Sequence, residues 1–155
     1  MMLSKNLSLK EATKSVTALR LGIDNTPDEQ VIKNLELIAT EIFQPLRNYF
    51  GVPIAVSSGY RCKELNEAIG GARASQHMSG EALDLDAHVY GEITNYDIFK
   101  YIYTHLEYDQ LIWEFGSEIE PDWVHVSFKR GKGENRNRTL KAYRDNDGKP
   151  SYTII

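Results

Sequence analysis

The spacing of apolar residues along this chain changes near its middle. Before residue 50 they recur at helical intervals; after residue 80 they alternate or gather in short runs. Ser8-Leu-Lys-Glu11 is a capping-box pattern and predicts a first helix to about Leu19, with Leu9, Ala12, Val16 and Leu19 as a partial stripe. Gly22 and Asp24-Asn25 break it. Thr26-Pro27-Asp28-Glu29 then predicts a stronger start, with Thr26 as N-cap and Pro27 at the first helical position. Val31, Leu35, Ile38, Ile42 and Leu46 continue at helical spacing to about Tyr49, and Pro45 within that run predicts a kink or an early end.

The second half reads differently. Val52 to Ser57 is a short buried-strand pattern, and Lys63 to Ile69 a short helix closed by Gly70-Gly71. Ala82 to Ala87 is a strand with Leu83 and Leu85 on one face and Asp84 and Asp86 on the other. Asn95 to Leu106 is a helix with Ile98, Phe99 and Ile102 inward. Leu111 to Phe115 and Asp122 to Phe128 are strands. Thr139 to Tyr143 and Tyr152 to Ile155 close the chain around the turn Asp145-Asn-Asp-Gly148. Helices first and mostly antiparallel strands later predict one α+β domain, residues 1–155, with the N-terminal helices packed on the sheet.

Composition adds bounds. A chain of 155 residues with 41% apolar and 26% charged residues suits one globular core. The lone Cys62 makes no internal disulfide and reads as a small buried residue rather than a reactive thiol. No stretch has the length to span a membrane, and the N-terminus lacks an apolar signal core, so synthesis in the cytoplasm and no membrane partner are expected. The net charge of −4 is unevenly spread: residues 1–128 carry −9 and residues 129–144 carry +6. That basic segment has two readings, a solvated loop or a patch for an anionic partner, with the solvated loop favoured and no nucleic-acid partner expected.

The chemistry centres on Ser75-Gln-His77-Met-Ser-Gly80-Glu-Ala-Leu-Asp84-Leu-Asp86. Two acids on one strand face beside a histidine are costly without a positive charge. The strand Trp123-Val-His125-Val-Ser127 puts Trp123, His125 and Ser127 on one face. Paired beside the first strand, ~4.8 Å away, it would bring His125 to Asp84 while the loop supplies His77. Two histidines, one carboxylate and an open fourth position form the ligand set of a catalytic zinc site. His88 would stand ~13 Å from Asp84 along a continued strand, too far to share an ion. His105 has no acidic partner at metal spacing.

Ser75-x-His77-x-x-Gly80-x-Ala82-x-Asp84, then Trp123-x-His125-x-Ser127, preceded by Ser57-Ser-Gly-Tyr-Arg61, resembles the zinc D-alanyl-D-alanine carboxypeptidases. These share a superfamily with lysostaphin-type peptidases and the hedgehog domain. The resemblance runs from about Ile54 to Phe128. It implies a hedgehog/DD-peptidase-like fold, zinc held by His77, Asp84 and His125, and a monomeric peptidase acting on peptidoglycan stem peptides. The reaction would be D-Ala-D-Ala carboxypeptidase or L-Ala–D-Glu endopeptidase chemistry; a zinc-containing binding protein of the same fold is the alternative. It also implies Arg61 as a holder of substrate and oxyanion, Ser75 as a substrate contact and Asp122 as general base, with Glu114 the competitor. Trp123 is expected to wall the cleft, and Asp86 to support a ligand histidine. A wall substrate with cytoplasmic synthesis fits a bacteriophage lysis or virion enzyme.

Overall fold

The computed structural model describes residues 1–130 and 133–155. Strands β1 (Met2–Ser4) and β2 (Leu7–Ser8) make a small hairpin that bears on the helices rather than on the main sheet. The capping box forms as expected: Ser8 accepts from the Glu11 N–H, and the Glu11 carboxylate reaches back to the Ser8 N–H. The helix it starts is shorter than predicted. Helix α1 (Leu9–Thr13) ends where Lys14 turns extended, and Ser15 caps a separate helix α2 (Val16–Leu21) by accepting from the Ala18 N–H. The break spoils the expected stripe: Ala12 and Ala18 are buried, while Val16 and Leu19 face solvent.

Helix α3 (Glu29–Ile38) is capped by Asp28, two residues later than the spacing indicated, because Thr26 is tied to Asp24 instead. Its stripe is the core: Val31, Leu35, Ile38, Ile42 and Leu46 are all buried. Pro45 does not end the helical run. A π-helical turn over Ala39–Phe43 widens the ladder, and helix α4 (Gln44–Phe50) follows with Pro45 in its first turn, where no N–H partner is required.

Strand β3 (Ala55–Ser58), helix α5 (Lys63–Ala68), strand β4 (Ala82–Asp86), helix α6 (Asn95–His105), and strands β5 (Gln110–Glu114), β6 (Trp123–Ser127), β7 (Arg138–Arg144) and β8 (Pro150–Ile154) complete the chain. One six-stranded sheet runs in the order β3-β4-β6-β5-β7-β8, antiparallel throughout except for the parallel β5–β7 pair. The molecule is therefore α+β with a mainly antiparallel sheet, as predicted. The single parallel pair was not predicted; it arises because the chain from β6 crosses back past β5 before entering β7.

Alternation divides the sheet into two faces. Leu83, Leu85, Leu111, Trp113, Val124 and Val126 point to the helices and are buried in one core. Asp84, His125, Ile112 and Leu140 lie in one row across four strands on the opposite face, because the register pairs Asp84 with His125, His125 with Ile112, and Ile112 with Leu140. The next row holds Trp123, Glu114, Ala142 and Tyr152. This second face carries the candidate chemistry.

Candidate metal centre and active-site cleft

The second face of the sheet forms the floor of an open cleft of about 500 Å³, and the loop from α5 to His77 forms its other wall. His77 sits in a 3-10 turn, Gln76–Ser79, capped by the Ser75 hydroxyl. Gly80 ends that turn at φ 75°, where a Cβ would meet Val31 at 2.8 Å, so the turn can lie flush on α3 only with glycine there. Leu83 and Leu85 then anchor β4 in the core, and the pleat projects Asp84 into the cleft. Val124 and Val126 do the same for His125.

His77, Asp84 and His125 converge, each with a ligand atom within 4.8 Å of the others. Asp84 Oδ1 stands 3.0 Å from His125 Nδ1 and 3.3 Å from His77 Nε2. A tetrahedral site with bonds of ~2.1 Å has edges of ~3.4 Å, so these separations suit a metal. Burial alone would raise the Asp84 carboxyl, but the charge and hydrogen bonds of His77 and His125 outweigh it and hold it below the usual carboxylate range.

His77 is oriented to present a nitrogen to a cation. Its Nδ1 lies 2.7 Å from the Gly59 carbonyl, which can only accept, so Nδ1 carries the proton. A neutral His77 then turns a lone pair from Nε2 toward an acceptor-only carboxylate oxygen. A metal ion between them would accept both lone pairs. Gly59 reaches this position only because it lacks a side chain: a Cβ would stand 2.1 Å from the Ala12 carbonyl of α1. The Ser-Gly-Tyr-Arg element thus orients His77, a candidate ligand, a role not read from the sequence, where only Arg61 was singled out. Fixing one imidazole nitrogen with a carbonyl, so that the other faces the metal, is a recurrent device in metal sites.

The remaining candidates fall into two groups. Arg61, Ser75 and Trp123 line the cleft with the trio. An Arg61 Nη donates to the Ser75 hydroxyl at 3.4 Å, while the Arg61 Nε is buried with no partner. Burial lowers the Arg61 pKa, partly offset by Asp84. Among the described residues Arg61 makes no ion pair with Glu64 or Glu67.

Asp122 is not brought to the cleft, and its expected placement is corrected. It has the parity of Val124 and Val126, lies at the end of the sheet and is exposed. Its backbone is clamped there: its N–H donates to the Glu114 carbonyl at 2.9 Å, and its own carbonyl accepts from buried Asn95 at 2.9 Å. Glu114 occupies the cleft instead, facing the same way as Trp123 and one row from His125. Burial raises the Glu114 pKa to about 7, with His125 lowering it and Asp84 raising it. Asp86 does not support a ligand histidine; its carboxylate accepts from the His88 N–H and from Asn95. His88 pairs with Glu120 at 2.8 Å and His105 stacks on Tyr101, so neither joins the trio.

The basic segment is not a plain solvated loop. Arg136 makes a two-pronged ion pair with buried Asp109, Lys141 pairs with Glu118 at 2.6 Å, and Arg138 and Arg144 line the cleft. Lys132 of that segment lies outside the described residues.

Compared with known families, the chain matches the family described as Peptidase M15 over residues 5–127. No curated protein matches it.

Proposed function

We infer the reaction from one premise: the chain belongs to the Peptidase M15 family, whose members are metal-dependent peptidases. We propose that it is a zinc peptidase that hydrolyses peptidoglycan stem peptides, with His77, Asp84 and His125 as the metal ligands. The observation that carries this reading is the pairing of a two-histidine, one-carboxylate donor set with a buried carboxyl, Glu114, in the same open cleft. Two imidazole nitrogens and one carboxylate oxygen at tetrahedral-edge spacing suit zinc better than harder, oxygen-seeking cations.

Zinc held there would supply a Lewis acid and bring the pKa of a bound water toward ~7. The chain's own residues do the rest. Glu114 serves as general base in place of Asp122: ionised beside a cation, it takes the proton of the attacking water and returns it to the departing amine. A pKa near neutrality suits both transfers, and a neighbouring divalent ion biases the group toward its ionised form. Arg61 holds a substrate carboxylate or the developing oxyanion; its unpartnered Nε and half-buried guanidinium favour such an anion, and Ser75 sets its orientation. Trp123 and Phe115, 5.6 Å apart, wall the cleft at the Glu114 end.

A zinc held purely for structure would have no use for a buried, uncompensated carboxyl at its side. A nucleic-acid function is disfavoured because Arg136 and Lys141 of the basic segment are already paired. The enzyme is proposed to act as a monomer on the cell wall after cytoplasmic synthesis, as a lysis enzyme would. Metal analysis followed by digestion of purified muropeptides tests the reading. Release of terminal D-alanine assigns a carboxypeptidase and scission after L-alanine an endopeptidase; intact substrate with zinc bound refutes peptidase action.

A further inference from the structure

The family match ends at residue 127, yet the two strands after it complete the cleft. On β7, residues 138, 140, 142 and 144 share the cleft face, and residues 139, 141 and 143 the other. Lys141, on the other face, is paired with Glu118. Arg138 and Arg144 on the cleft face have no carboxylate partner among the described residues. They stand at opposite ends of the strand, ~20 Å apart, and so cannot hold one small anion together.

Arg144 is the better-built of the two. Its guanidinium lies 4.4 Å over the Phe115 ring and donates to the Gly148 carbonyl at 3.4 Å. Phe115 is held for this contact against its backbone preference. It adopts φ 55°, the left-handed region that a bulky residue rarely enters, and Gly116 follows at φ 76°. Alternation after Glu114 would otherwise send Phe115 toward the core. The left-handed turn, tied by the Phe115 N–H to the Ala142 carbonyl at 3.1 Å, instead brings the ring to the cleft between Trp123 and Arg144. A planar cation stacked on an aromatic face keeps its in-plane N–H groups free for a ligand.

Arg61 approaches the metal trio from the β4 side, and Arg144 from β7. Three strand steps, ~14 Å, separate β4 from β7, and Arg144 lies four residues along β7 from Leu140 of the Asp84 row, ~13 Å, so the span is ~19 Å, or about six residues of extended peptide. We propose that Arg144, seated on Phe115, is a specificity-determining position that binds a second substrate carboxylate, across the cleft from the anion held by Arg61. The preferred substrates are then peptides bearing two carboxylates about six extended residues apart, one on each side of the metal. This deepens the peptidase reading and rests on it.

Two synthetic stem-type peptides, differing only in whether the second acidic group is a free carboxylate or a carboxamide, test it with the zinc-loaded full chain. The free acid should be cleaved with a kcat/KM about tenfold higher, expressed in KM. Arg144→Gln should bring the ratio near one, and Arg144→Glu should invert it, since like charges repel. A wild-type ratio near one overturns the proposal without recourse to any variant, while cleavage of both peptides leaves the peptidase reading standing. Cleavage of neither by the wild-type enzyme overturns the peptidase reading itself.

Discussion

Asp84, on β4, and Asp109, just before β5, are two aspartates withdrawn from water, and they are completed in opposite ways. Asp109 is fully buried and its carboxylate is saturated: Arg136 donates through Nε at 2.9 Å and Nη at 2.8 Å, Gln76 at 2.8 Å and the Arg136 N–H at 3.1 Å. Burial would raise its pKa, but these donors bring it down to about 2. Every donor there is a fixed N–H, so nothing further is needed. Asp84 faces two imidazoles, one of which has its proton committed to Gly59. One aspartate closes a structural joint; the other faces a donor set suited to a metal. The two are linked, because Gln76, which donates to Asp109, precedes His77 in the same turn. The joint at Asp109 therefore holds the wall of the cleft that carries a ligand.

The contrast can be broken most severely at Asp84. Asp84→Asn should abolish stoichiometric metal binding and reduce peptide hydrolysis by more than ~100-fold, beyond what loss of an outer-shell partner costs. Elemental analysis and a muropeptide assay check both, and retained metal would remove Asp84 from the ligand set. Next in size is Glu114→Gln, for which turnover should fall ~10²–10⁴-fold while metal content holds. Asp122→Ala should leave turnover within about threefold, as an exposed residue away from the cleft would. The reverse pattern would return the base to Asp122.

At Asp109 the effect should fall on stability. Asp109→Asn should destabilise the fold by about 3 kcal/mol, toward the low end for a broken buried pair because Arg136 is half-exposed. Metal stoichiometry should survive. The sign with pH follows from the lowered pKa: the contribution is present above about 4, the unfolded value, and is lost as pH falls through about 2. Melting curves of wild type and variant should therefore converge in strong acid. The smallest effect is expected from Glu114 in the metal-free protein. Its pKa is raised, so the folded state favours the neutral carboxyl; that contribution is present below 4.5 and lost as pH rises through about 7. Glu114→Gln should then melt about 3 °C above wild type at pH 8 without metal, and the gap should close at pH 5.

Much of the site was legible because it rides on strict alternation. Leu83 and Leu85 must be buried, so Asp84 must face away from them; Val124 and Val126 dictate the same for His125. The helix stripe from Val31 to Leu46 was legible for a similar reason, since period alone names its buried face. Asp122 was expected in the cleft from the resemblance and from its closeness to His125, but it lies just before β6, exposed and outside the residues that line the cleft. Glu114 could be placed only once β5 was known to lie beside β6 with Glu114 opposite Trp123. No local pattern records that register.

By itself, then, the amino-acid sequence determined which residues face which side of each element, and hence that Asp84 and His125 point away from the core, with His77 joined to them through the motif it shares with the resembled family. Those facings are consequences of period and of the cost of burying charge, both local in the chain. The tertiary structure alone decided which strands became neighbours. It set Glu114 rather than Asp122 in the cleft, spent Gly59 on His77 and Arg136 on Asp109, and carried Arg144 round to the far wall. Such pairings join residues that are distant along the chain, and they are settled by the packing of the whole sheet.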